Sequence, residues 1–134
     1  MAKYRVVFLE EAGEHLEDMS RALLELEREP GRGEAIDLVF RKAHSIKGMA
    51  ASIDYGSISE VAHRLEDRME GVRQAGRVDG AADLPLLFRA LEALEGMVGA
   101  VRERGEAPPA DADLLGALSA GVAPGLKKKL RMTR

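Results

Sequence analysis

Three residues close together in the sequence, His44, Lys47 and Gly48, could form a site that handles an anion. At about 100° per residue, a helix through this segment puts His44 roughly 120° from the centre of the apolar stripe beside it, so the imidazole should face solvent. Lys47 can bring an ammonium group near the ring, and Gly48 lacks the side chain that would shade it. An ordinary surface histidine beside a tolerated glycine explains these three residues equally well.

A second pair of polar residues, His63 and Glu66, lies off the apolar stripe of the next predicted helix. If the two helices are antiparallel neighbours, Glu66 can accept a hydrogen bond from Nδ1 of His44, which would leave Nε2 as an outward nucleophile. Glu66 could equally be a solvated charge on a helix face. The third histidine, His15, lies at the edge of an apolar stripe and is expected to pack there or to lie at the surface.

The elements that would position these side chains are helices, because apolar residues recur at three- and four-residue steps in four long segments and no period-two pattern occurs. Pro30 and Gly31 should end the first segment, Ser57 and Glu60 have the form of a capping box, and Asp83 can cap the fourth helix. We therefore predict an all-α fold, an antiparallel up-down four-helix bundle at 1–104. A linker with a weak fifth helix, roughly Ala112–Ala120, should follow at 105–121, and a flexible, disordered basic tail at 122–134.

Composition and charge exclude several classes of protein. The 134 residues suffice for one domain, and without cysteine there can be no disulfide, thiol catalysis or zinc finger. Five basic and no acidic residues follow position 120, so the rest of the chain carries −8, five charges below the net −3, and should bind nucleic acid poorly. No apolar stretch approaches the roughly 20 residues of a membrane span, and no signal segment begins the chain, which predicts a cytoplasmic protein.

The sequence around these candidate residues resembles histidine phosphotransfer (HPt) domains, and most of all the phosphotransfer domain of the chemotaxis kinases of the CheA family. The resemblance covers about residues 4–100 and keeps the order and spacing of its motifs. Its segments are Phe8-Leu-Glu-Glu-Ala12 with Glu14-His-Leu16, Val39-Phe-Arg-Lys-Ala-His44-Ser-Ile-Lys-Gly48-Met-Ala50, Ala62-His-Arg-Leu-Glu66-Asp67, and Arg77 after Gly76.

The resemblance implies a role for each candidate residue. His44 would be phosphorylated, Glu66 would hydrogen-bond and orient it, Lys47 and His63 would assist transfer, and Gly48 would keep the acceptor accessible. The sequence departs from the family's pattern at two positions. Met49 replaces a glycine found in many members, and Asp54 stands where a glycine is expected before the aromatic residue. If that turn needs a positive φ, aspartate tolerates it better than most residues.

By this resemblance, the chain is a phosphocarrier of two-component signal transduction. A separate kinase catalytic domain, which binds ATP and Mg²⁺, would transfer the γ-phosphoryl group to His44, and a CheY-like response regulator would accept it on an aspartate. The sequence lacks a phosphate-binding glycine loop, so we expect no cofactor and no enzyme activity in this chain alone. The resemblance implies that its parent is a protein-histidine kinase. We also expect a monomeric domain without membrane insertion. A stand-alone or hybrid-relay HPt protein is the alternative within this class.

Two other classes fit part of the sequence. Glu60 and His63 have the Glu-x-x-His form of di-metal carboxylate bundles, but such sites need a second motif of this kind and two further inward glutamates. The other is a structural or adaptor bundle that is never phosphorylated. The basic tail, which carries Lys127, Lys128, Lys129, Arg131 and Arg134, is expected to be a solvated end rather than a hook for nucleic acid or lipid.

Overall fold

The chain folds into four long helices and one short one in the computed structural model, which describes residues 2–120. The helices are α1 (Ala2–Arg28), α2 (Gly33–Ser52), α3 (Gly56–Ala75), α4 (Leu84–Arg104) and α5 (Ala112–Ala120), and the described part of the chain contains no strand. Helices α1 and α3 each pack against α2 and α4, and short loops join consecutive helices. The predicted four-helix bundle with a short fifth helix is confirmed, whereas the tail at 122–134 lies outside the described residues.

The core consists of the apolar stripes that the sequence predicts. Phe8 and Val7 are adjacent near the start of α1, where the first apolar stripe begins, and only Phe8 is buried, while Val7 is about half exposed (48%). Leu114 and Leu118 of α5 are fully buried, so this helix extends the core of the bundle instead of lying loosely on it. The large side chains with almost no exposure are Met19, Leu23, Leu26, Val39, Ile46, Ile58, Leu65, Met69, Leu87, Leu94, Leu114 and Leu118.

The connection between α2 and α3 turns on Asp54, which has a positive φ of 65°. Few residues other than glycine adopt this left-handed backbone conformation, and aspartate is among those that tolerate it. The expectation that Asp54 can replace glycine in a turn of positive φ is confirmed. Gly76 ends α3 in the same backbone region, with a φ of 83° and its N–H bonded to the carbonyl of Val72.

The predicted capping box at the start of α3 is wrong. The helix begins at Gly56, one residue before the predicted N-cap Ser57, and Tyr55 occupies the N-cap position without a side-chain cap. The carboxylate of Glu60 does not reach back to the helix start, because it lies 3.5 Å from Arg64 one turn further along α3. Glu60 therefore forms a surface ion pair within α3, although the residue pattern around it is typical of a cap.

Asp83 precedes α4 as predicted, but its carboxylate does not cap the helix. One oxygen lies 2.7 Å from the guanidinium of Arg68 in α3, and the other accepts the backbone N–H of Asp79 at 2.7 Å. The buried Arg68, only 5% exposed, also donates to the carbonyls of Ala117 and Leu118 in α5. This guanidinium therefore ties the loop before α4 and the end of α5 to α3.

Replacing Arg68 with methionine should destabilise the protein by about 1–2 kcal/mol, because Asp83 and the two α5 carbonyls would lose their donor in a partly buried place. Methionine fills much of the same volume, so the loss reports on the polar contacts. The matched control is Arg64→Met, one turn earlier in α3. Its side chain is 36% exposed and its partners, Glu60 and the Ser119 hydroxyl of α5, stay accessible to water, so the cost should stay below about 0.5 kcal/mol. Urea unfolding followed by circular dichroism measures both, and equal costs would contradict the role of Arg68.

Candidate functional site

The candidate site lies on the exposed side of the α2–α3 pair, where His44 of α2 faces Glu66 of α3. The His44 side chain is 63% exposed, while that of Glu66 is only 11% exposed. Nδ1 of His44 lies 2.5 Å from Oε2 of Glu66, a hydrogen-bond distance. The period of α2 thus leaves His44 outside the apolar stripe and accessible, while the packing of α3 against α2 brings Glu66 to Nδ1 of the ring.

This hydrogen bond determines which ring nitrogen of His44 is free. An ionised carboxylate can only accept, so the neutral imidazole must carry its proton on Nδ1, and the lone pair belongs to Nε2. The tautomer is inferred from the hydrogen-bond partner, and the partner is well defined because Glu66 is nearly buried. The arrangement leaves Nε2 as the nucleophilic atom of an exposed imidazole.

Glu66 is held as a carboxylate by two neighbours. Its Oε1 accepts a hydrogen bond from Nζ of Lys47 at 2.6 Å, while its Oε2 faces His44. Burial of the group acts to raise its pKa, but the hydrogen bonds from Lys47 and His44 outweigh it, and the pKa of Glu66 is lowered from 4.5. Glu66 therefore remains ionised, as an acceptor for His44 must, at and above its ordinary pKa.

The ammonium group of Lys47 binds Glu66, although the sequence predicts it beside the ring of His44. The sequence suggests an ammonium group beside the histidine ring, but the Lys47 side chain is 28% exposed and donates to the carboxylate below that ring. Its backbone carbonyl also accepts the Ser59 hydroxyl at 3.0 Å, which links α2 to α3. Lys47 thus supports Glu66 directly and His44 through Glu66.

His63 is not part of this hydrogen-bonded group. Its Nε2 lies 3.7 Å from Asp67 in the same helix, its side chain is 55% exposed, and it lines an open depression of about 500 Å³ together with Lys47 and Glu60. The structure therefore brings together three of the predicted residues, His44, Lys47 and Glu66, and puts His63 beside them. The assistance in transfer predicted for Lys47 and His63 stays a prediction.

The residues of the alternative metal site do not converge. Glu60 lies beside Arg64, and His63 lies beside Asp67. Within residues 2–120, no group of three histidine, aspartate or glutamate side chains could hold a metal ion. His15, which the sequence put at the edge of the α1 stripe, is half-buried with no hydrogen-bond partner at Nδ1, and burial lowers its pKa from 6.5.

Gly48 lies in the interior of α2, next to the site and open to solvent. A Cβ atom at this position would meet no other atom within 4 Å. The glycine is therefore not required by the packing of the protein itself, although it weakens the helix by about 1 kcal/mol relative to alanine.

Replacing Gly48 with alanine should stabilise the protein by about 1 kcal/mol and leave the fold unchanged. The matched control is Gly96→Ala in α4, where a Cβ would also meet no atom within 4 Å, so the same gain in stability is expected there. Urea unfolding measures both variants. If Gly48 keeps the acceptor accessible, only Gly48→Ala should also slow the loading of His44 by a protein partner, and equal loading of the two variants would contradict that role.

A second cavity, which the sequence analysis does not predict, is lined by His44 itself. It measures about 420 Å³ and is lined by Phe40, Arg41, Lys42, His44, Ser45 and Glu66. The signal that could have found it is spacing, since Arg41 precedes His44 by three residues and so shares its helix face. The exposed ring of His44 thus has basic residues on its N-terminal side as well.

Comparisons with known proteins identify one family of similar sequences. The sequence model of the Hpt domain family matches residues 3–104. The chain is 32% identical over 119 residues to the chemotaxis protein CheA of Halobacterium salinarum and 36% identical over 107 residues to that of Bacillus subtilis. These alignments cover 88% and 79% of this chain but only 17% and 16% of the two relatives. The chain therefore spans about a sixth of their length.

Solved structures give the same fold. The solution structure of the histidine phosphotransfer domain of CheA matches with a TM-score of 0.78 at 26% identity, covering 96% of this chain and 92% of that one. The phosphorylated P1 domain of CheA3, crystallised in complex with CheY6 from R. sphaeroides, matches with a TM-score of 0.81 at 21% identity, covering 96% of this chain and 98% of that one. No helix in residues 2–120 is long and apolar enough to cross a membrane.

Proposed function

Because this chain belongs to the Hpt domain family, as the predicted resemblance indicated, we propose that it carries a phosphoryl group on Nε2 of His44 between a histidine kinase domain and a response regulator in the cytoplasm. The observation that carries the proposal is the hydrogen bond between Nδ1 of His44 and the nearly buried Glu66. It provides an exposed nitrogen nucleophile whose tautomer is fixed in advance.

The proposed loading step forms one bond and breaks one. The lone pair of Nε2 attacks the γ-phosphorus of ATP held by a separate kinase domain with Mg²⁺, and the bond from that phosphorus to the β–γ bridging oxygen breaks, which releases ADP. Nδ1 keeps its proton, so the phosphorylated ring gains positive charge, and the Glu66 carboxylate 2.5 Å away stabilises that charge.

The proposed second step returns the histidine to its starting state. A carboxylate oxygen of a receiver aspartate attacks the phosphorus, the bond from phosphorus to Nε2 breaks, and the ring becomes neutral again with its proton still on Nδ1. The relative of the same fold that is bound to CheY6 while phosphorylated supports a CheY-like receiver as the partner. The chain acts as substrate and carrier in both steps, and the parent protein would be the protein-histidine kinase.

Labelled ATP and a separately prepared CheA-type catalytic core test this function directly. We expect label on the chain that is lost in acid and stable in base, as a phosphorus–nitrogen bond is, and that moves to a CheY-like receiver when one is added. A chain that stays unlabelled by a panel of kinases, each active on its own substrate, would favour an adaptor that is never phosphorylated.

A further inference from the structure

Arg41 is the cation near His44 that is not already paired. It precedes His44 by three residues on α2, lines the 420 Å³ cavity with it, and is exposed. Residues three apart in a helix are neighbours on its surface, and both of these side chains line the same cavity. Among residues 2–120, no carboxylate lies within ion-pair distance of Arg41.

The other charges around this cavity are already paired. Nζ of Lys47 donates to Glu66, and Nζ of Lys42 lies 3.5 Å from Asp18 of α1. Arg73 of α3 stacks over Phe40, 4.5 Å from the ring centroid, and pairs with Asp37 at 3.1 Å. An anion that arrives at His44 therefore meets one guanidinium that gives up no protein partner in order to bind it.

The geometry points to Arg41 as the residue that binds the phosphoryl oxygens on Nε2 of His44, with Lys47 left on Glu66. This inference rests on the proposed function for its biological meaning, although the contact itself requires only a phosphoryl group on His44. A guanidinium presents a planar fork of N–H donors that matches two phosphoryl oxygens, and a charge-assisted pair of this kind is stronger than a neutral hydrogen bond. Arg41 would thus be a binding residue for the transferred group.

The test loads His44 without any kinase. Phosphoramidate, a small phosphoryl donor, is used on the purified chain, and ³¹P nuclear magnetic resonance follows the titration of the phosphohistidine, with His44→Gln to identify its signal. Because the guanidinium favours the more negative form of the phosphoryl group, Arg41→Ala should raise the pKa of that group, and Arg41→Lys should restore part of the difference. Added salt should raise it in the natural chain and change it less in Arg41→Ala.

Two further variants decide which cation is responsible. Arg102→Ala, in an exposed position near the end of α4, should leave the titration unchanged. Lys47→Ala should also change it less than Arg41→Ala does. An unchanged titration in Arg41→Ala, or a larger change in Lys47→Ala, would overturn the assignment. Failure of phosphoramidate to load His44 at all would also count against the assignment, because an unpaired Arg41 beside His44 should attract the anionic reagent.

The kinase assay separates this inference from the proposed function. If both hold, Arg41→Ala should lower the rate of loading by a kinase roughly threefold to tenfold, the effect of one partly exposed charge-assisted contact. If kinases never label the chain but the ³¹P titration still depends on Arg41, the proposed function fails and the phosphoryl-binding role of Arg41 stands. The reverse combination would leave the carrier function intact and remove Arg41 from it.

Discussion

Replacing His44 with glutamine should abolish phosphorylation of the chain by a CheA-type kinase while the protein stays folded. The side chain is 63% exposed and contributes nothing to the core, so its loss costs little stability. Glutamine has a similar size and can still donate to Glu66, but its amide nitrogen has no basic lone pair to attack phosphorus. The measurement is incorporation of label from ATP, with circular dichroism to show that the helices persist.

The matched control for this loss is His63→Gln, because His63 is exposed to a similar extent (55%) and lies near the same face. Its Nε2 is 3.7 Å from Asp67 in the same helix, an arrangement that provides no buried carboxylate to orient the ring. We expect this variant to keep its label, and to gain it more slowly if His63 assists transfer. Label that persists in His44→Gln would show that another residue is the acceptor, and label that disappears in His63→Gln would show that His63 is as necessary for labelling as His44.

The fold could be predicted from the sequence because each helix has one apolar stripe of helical period. Four such stripes can be buried only against one another, and the residues that interrupt them, such as Pro30 and Gly76, mark the helix ends. The caps were less predictable. Ser57 and Asp83 have side chains suited to capping, but a side chain caps only if nothing else binds it first, and Asp83 is bound by a buried guanidinium.

Within the site, the helix pattern alone left two possibilities for Glu66, a partner of His44 or a solvated charge, and the family resemblance favoured the pairing that the structure shows. The partner of Lys47 could not be predicted, since a long flexible side chain can reach several neighbours and only the packing of the folded protein selects among them. Arg68 was missed for a related reason. Its burial depends on α5, a helix whose nine residues bear only a weak pattern, lying close enough to supply two carbonyls.

Replacing Glu66 with alanine should slow the loading of His44 by a kinase by roughly a hundredfold, the upper end of the effect of removing a carboxylate that orients a metal-bound histidine. Without the carboxylate the imidazole can carry its proton on either nitrogen and can rotate, and the positive charge that develops on phosphorylation has no counter-ion. Glu66→Gln keeps the size of the side chain but loses the charge, and should be slowed nearly as much. Single-turnover labelling gives both rates.

A direct readout separates this orienting role from a merely structural one. Nitrogen chemical shifts of the His44 ring distinguish the two tautomers, and we expect the proton on Nδ1 in the natural chain but divided between the nitrogens in Glu66→Ala. Lys47→Ala is the matched control, because it removes the other hydrogen bond of Glu66 at 2.6 Å and leaves the one to His44 in place. It should keep the Nδ1 tautomer and lose much less rate. Unchanged loading in both Glu66 variants would mean that the tautomer of His44 does not limit phosphoryl transfer.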